Sequence, residues 1–233
     1  MIRQARRTLL LVAALAAFQS EATVVVESMG TDSALARSGV KAGDVLVGWK
    51  QGASAGEFHS AIDVALVQSE YSLRPGFVLR LHRAEKPLDF SIPPVQWSVR
   101  VRPSLSTQEL ETYQTARAAI TEGRWEEGLR TIKMLSETLA RQRRVRDSVW
   151  FLYRAAVAQG RGQHYAQSTR LIDDAVRLAE ADNDSELTAW ILYAISTHLW
   201  DWGQYPEAER RAVAALGIRE RLDPQGATTA ETL

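Results

Sequence analysis

Cysteine is missing from this chain of 233 residues, which excludes disulfides, thiolate zinc sites and lipid attachment through an N-terminal Cys. Net charge is missing too, because 28 Lys and Arg balance 28 Asp and Glu. The balance holds locally, with 9 basic and 8 acidic residues over 23–103 and 16 basic and 19 acidic over 104–233. Neither half has the basic footprint of a nucleic-acid binder, so no nucleic acid is expected as a partner. Histidine is scarce. His59, His82, His164 and His198 are scattered, form no H-E-x-x-H pair and read as surface or turn residues rather than metal ligands. No G-x-S-x-G elbow and no G-x-x-x-x-G-K-[ST] phosphate loop occurs, and Gly160-Arg161-Gly162 is too short for a dinucleotide fingerprint. Asp182-Asn183-Asp184 lacks the glycine and glutamate that a calcium loop needs at its sixth and twelfth positions. With no catalytic constellation, the chain is expected to be no enzyme, and to need no cofactor and no metal.

Long apolar runs are absent except at the N-terminus. There a basic MIRQARR precedes the eleven residues TLLLVAALAAF, and Ser20 and Ala22 supply small residues at −3 and −1 of a cleavage point. A spanning helix needs about 20 apolar residues, so this stretch reads as a signal peptide over 1–22 rather than an anchor. The mature protein is then expected to begin near Thr23, to be periplasmic or secreted, and to have no stable membrane insertion after cleavage.

What is present is an ordinary globular composition, 45% apolar and 24% charged, in two kinds of pattern. From Thr23 to Pro94 the pattern is mixed. ATVVVESM suits a strand, SALARSGV a short helical turn ending at Gly39, and Val45–Trp49 a second strand after Ala42-Gly43-Asp44. Phe58, Ile62 and Leu66 recur at helical spacing between Glu57 and Val67. FVLRLHR and LDFSI then read as strands on either side of Glu85-Lys86-Pro87, and Pro93-Pro94 stops the second. Val95–Ser104 is a connector whose Trp97/Val99/Val101 alternation can add one strand, with Trp97 packing the junction.

The segments SGVKAGDVL (38–46) and Pro75-Gly76 through Arg83 resemble the two motifs of bacterial PDZ domains, over about seventy residues. That resemblance implies an α+β fold with a groove faced by His59, Asp63 and Leu66. The amide loop and edge strand that grip a peptide in that family would precede Thr23, so the fold carries over without the peptide-binding activity.

From Leu105 the period becomes helical, and the chain repeats itself every forty residues. Trp125, Tyr165 and Tyr205 share one column, Tyr113, Tyr153 and Tyr193 another. Small residues fill two more columns: Ala116, Ala156, Ser196 and Gly128, Ser168, Ala208. Such a period is the signature of stacked helix pairs, since one pair cannot bury its apolar face alone. The pairs are expected at 106–122 with 125–141, 147–160 with 165–181, and 186–201 with 205–221. The offset places a fourth first helix from Gly226, so the chain reads either as the N-terminal part of a longer protein, the preferred reading, or as one whose last turn frays or is completed by a partner.

This region resembles tetratricopeptide repeats, in the longer kinesin-light-chain-type form, over about 130 residues. In that family the first helix of each pair lines a concave groove. The resemblance places Tyr113, Arg117, Trp150, Tyr153, Arg161, Trp190, Tyr193 and Trp200 there, as contacts for a protein or peptide. The tyrosines suit inter-repeat packing as well as a groove, whereas Trp190 and Trp200 are expected to be exposed. The run RQRRVR (141–146) suits either an anionic partner or a solvated helix end.

The expected architecture is therefore an α+β PDZ-like domain at 23–97, a connector at 98–105 and an all-α tetratricopeptide-repeat solenoid of helix hairpins at 106–233. The expected function is a protein–protein interaction scaffold of the bacterial cell envelope. The alternative is the sensing front of a larger envelope enzyme, since leader, PDZ-like domain and long repeats also resemble the start of bacterial CHAT peptidases.

Overall fold

Residues 24–223 are described by the computed structural model; the expected leader and fourth first helix lie outside them. The described chain divides into two compact units, 24–60 with 74–104, and 61–73 with 105–223.

The first unit is one antiparallel sheet. Its strands are β1 (Val24–Met29), β2 (Val45–Gln51), β3 (Ser54–Glu57), β4 (Phe77–Arg83), β5 (Lys86–Ile92) and β6 (Val99–Pro103). They lie in the order β5-β4-β2-β1-β6, with β3 also paired to β2. Period-two alternation sends Val24, Val26, Leu46, Phe77, Leu79 and Leu81 into the core. The connector contributes β6, held to β1 by pairs such as Val26↔Val101. Trp97, just ahead of it, is buried with its ring edge-on to Phe77 at 4.8 Å, and Phe77 in turn stacks on Trp49.

A short helix, α1 (Ala34–Arg37), is capped by Ser33, whose hydroxyl accepts from the Ala36 amide. Behind it Gly39 turns at φ 99°, and its position almost touches the Phe90 ring, so a side chain there is strained twice over. Buried Asp44 accepts the Lys41 amide and two bonds from Arg83, at 2.7 and 2.8 Å, while Arg83 also donates to the Gly39 carbonyl. Burial alone would raise the Asp44 pKa; the bonds from Arg83 and Lys41 outweigh it and hold the carboxyl below its ordinary range. The two segments singled out in the sequence are thus tied by one ion pair.

The second unit begins with α2 (Ala61–Tyr71), which by its contacts belongs with the helices after 105 and packs on α5 below. It starts four residues later than Glu57, where the helical spacing opened, because Ser54–Glu57 are held as β3 against β2. Then come α3 (Thr107–Thr121), α4 (Trp125–Arg141), α5 (Val145–Arg161), α6 (Tyr165–Ala181), α7 (Ser185–Asp201) and α8 (Tyr205–Leu222). Successive helices form the hairpins α3/α4, α5/α6 and α7/α8, and the first helices α5 and α7 also touch directly.

The real period is half of forty. Every connection from α3 to α8 is three residues long, and its middle residue takes the left-handed conformation: Gly123 (φ 83°), Arg143 (61°), Gln163 (65°), Asn183 (56°) and Gly203 (75°). At each, that residue's amide donates to the carbonyl three back and the next amide to the carbonyl five back, all between 2.8 and 3.1 Å. These are five Schellman motifs in strict 20-residue register. The small columns let the paired helices approach. A methyl on Gly128 would lie 2.5 Å from Ile120 and 2.9 Å from the Ala116 carbonyl oxygen.

Candidate binding surface on the first helices

The start of each first helix is fixed by polar groups. Ser106 and Glu109 form a capping box on α3, and the Asp184 carboxylate caps α7 through the Leu187 amide. Between them the run 141–146 divides by role. Arg144 bonds Asp147 and Glu109, while Arg146 reaches Asp63 on α2 at 2.8 Å, Asp184 at 2.9 Å and Glu186 on α7 at 3.0 Å. Half of that basic run is therefore internal cement, and Arg141 and Arg143 are the exposed remainder. Burial pushes the Asp147 carboxyl up to about 6 despite Arg144, with Asp63 and Glu109 adding to the rise.

The residues expected at a groove in the first motifs are divided between the two units. Asp63 and Leu66 lie on α2 in the second unit and His59 in the first, beside Glu57, and the Asp63 carboxylate is engaged by Arg146.

Along α3, α5 and α7 the aromatic columns meet as a seam. Tyr113 lies 5.1 Å from Phe151, and Trp150 stacks on Trp190 at 6.2 Å. Tyr153 meets Trp190 edge-on at 5.0 Å. Trp190 is consequently only 6% exposed, a correction to the exposure expected of it. Two rings from α5 close over it. Trp200 is 62% exposed, as expected, but it packs against Tyr205 and not in the seam. Tyr193 is half-buried under the guanidinium of buried Arg219, 4.7 Å above its ring.

Sequence reading missed two members. His198 is not a turn residue: its Nε2 lies 3.0 Å from the Tyr153 hydroxyl and its ring stacks on Trp202. Burial, then the charge of Arg161, lowers the His198 pKa. Burial pushes the Tyr153 phenol up to about 12. Trp202 seats its ring where a Gly160 methyl would be, 1.9 Å from that point. The signal for it was the glycine itself, at a position that is Ile120 one repeat earlier.

Arginines border the seam. Arg117 stands 5.6 Å over Tyr113 and Arg154 stands 5.7 Å over Trp150. Exposed Arg161, from the last turn of α5, acts on both Tyr153 and His198. Arg154 was not among the expected contacts. A hollow of about 300 Å³ lies between α4, α5 and α6, but its Lys133 and Asp174 neutralise each other at 2.9 Å. Among the described residues no group of His, Asp or Glu is placed to hold a metal ion, and no helix is long and apolar enough to cross a membrane.

These features define a class: an antiparallel sheet unit followed by a stack of helical hairpins. No family model and no curated protein matches the chain. Among solved structures, the crystal structure of BtubC (BKLC) from P. vanneervenii is similar to it with a TM-score of 0.30 at 15% identity, over 54% of this chain and 60% of that one.

Proposed function

We propose that the helical unit is a non-catalytic interaction scaffold that holds a polypeptide segment bearing acidic side chains across its first helices, as part of an envelope protein. The observation that carries this is the set Arg117 and Arg154 over rings of the aromatic seam, with exposed Arg161 acting on Tyr153 and His198 of the same seam. The buried rings make the platform rigid, and guanidinium groups held over ring faces meet carboxylates with little further ordering. Arginine and aromatic side chains together are also the residue types that concentrate binding energy at interfaces. The envelope assignment rests on the leader pattern at 1–22 and is tested by N-terminal sequencing of the exported protein, which is expected to start near Thr23.

The binding reading is tested by selecting random twelve-residue peptides on the immobilised chain. Acidic sequences should be enriched, and their capture should fall at least tenfold on Arg117→Glu or Arg161→Glu. Enrichment with no acidic bias, or capture indifferent to both substitutions, contradicts it.

A further inference from the structure

The turn between α7 and α8 carries an aromatic pair that the seam does not use. Trp200 (62% exposed) and Tyr205 (53% exposed) meet edge to face at 4.9 Å. Elsewhere on this unit Tyr113, Trp150 and Tyr193 each lie under an arginine of the chain itself. Among the described residues no arginine lies over Trp200 or Tyr205. Two exposed carboxylates lie close to them in sequence. Asp201 follows Trp200 as the last residue of α7, at the negative end of the helix dipole, where a carboxylate is locally unfavourable. Glu209, four residues beyond Tyr205, shares that residue's face of α8. Both carboxylates are exposed. An acid set against the dipole does nothing for the helix, but an exposed carboxylate close in sequence to open rings offers the chemistry that receives a cation.

We infer that this corner docks a basic stretch of a polypeptide, with one lysine or arginine head against the Trp200 ring and Asp201 and Glu209 neutralising it. Cation–π attraction at such a site grows as the ring and the cation lose water. The occupant differs in sign from the acidic segment proposed for the arginine row.

The test is a titration of the intact chain, labelled with 15N at tryptophan, with a Gly-Lys-Gly-Lys-Gly peptide. Parallel titrations use its acetyl-lysine and glutamate counterparts. The Trp200 indole signal, assigned by Trp200→Phe, should move and saturate with the lysine peptide alone. Combined Asp201→Asn and Glu209→Gln should weaken that binding about tenfold, which corresponds to about 1.4 kcal/mol. Arg117→Ala should leave it unchanged, so this site and the arginine row can fail separately. An equal response to the acetylated or glutamate peptide overturns the inference. So does a Trp200 shift that follows protein concentration without peptide, because a second copy then covers the corner.

Discussion

Replacing Gly160 by Ala tests the seating of Trp202 directly, because the physics pulls both ways. Removing a glycine from a helix gains about 1 kcal/mol on propensity alone. At Gly160 the new methyl lands 1.9 Å from the Trp202 ring. Overpacking of this kind costs roughly 1–3 kcal/mol. If the ring swings out instead, it forfeits its contacts with His198 and Tyr165, each worth about 0.5–1.5 kcal/mol. The net expectation is a loss of up to about 2 kcal/mol after the propensity gain is subtracted. Gly217 in α8 is the control, because the nearest atom to its added methyl is Arg221 Nη1 at an unstrained 3.8 Å. Gly217→Ala should therefore stabilise by about 0.5–1 kcal/mol. Gly128→Ala should cost at least as much as Gly160→Ala, since part of its obstruction is backbone and cannot swing aside. Urea unfolding followed by helical circular dichroism reads all three. A stabilising Gly160→Ala would refute the placement of Trp202 on α5.

Gln163→Gly should raise stability by about 1 kcal/mol in the same assay, because glycine takes the left-handed cap without steric cost; no gain would mean that the cap is not formed there. Asp147 holds its proton more tightly folded, near 6, than unfolded, near 3.8, so it adds stability as pH falls from about 6 to about 4. Two pKa units correspond to about 3 kcal/mol. The difference in stability between the wild type and Asp147→Asn should therefore grow by up to that amount from pH 7 to pH 4, and a constant difference would contradict the burial. Asp44 behaves oppositely: its folded pKa is depressed, so its contribution is present above about 4 and is lost as pH falls through the folded value. Arg83→Met leaves that carboxylate buried without its guanidinium. Hydrogen exchange of residues 39–49 should then quicken, and quicken more as pH rises through the carboxylate range once the intrinsic pH dependence of exchange is divided out. Unchanged protection would mean that the pair is dispensable.

The helical period and the small columns were legible because both follow from stacking: equal helices must meet at equal intervals, and close approach admits only small side chains. The 20-residue half-period was hidden because its marker is a backbone conformation. The chain fills it with Gly, Arg, Gln, Asn and Gly, and only the conformation is shared. Exposure of Trp190 was misjudged for a related reason. A column says which residues share a face, not whether the next helix closes over that face, and here Trp150 and Tyr153 do. The allegiance of α2 was also invisible, since it rests on Asp63 and Arg146, which lie 83 residues apart in sequence.

The central claim, that the arginine row is the binding face, is tested most directly by following the arginine Nε–H signals of the intact chain while a selected acidic peptide is added. The account predicts that Arg117, Arg154 and Arg161 shift and saturate together while Arg141 and Arg143 stay in place. Shifts confined to Arg141 and Arg143, or no arginine shift under saturating peptide, would contradict it.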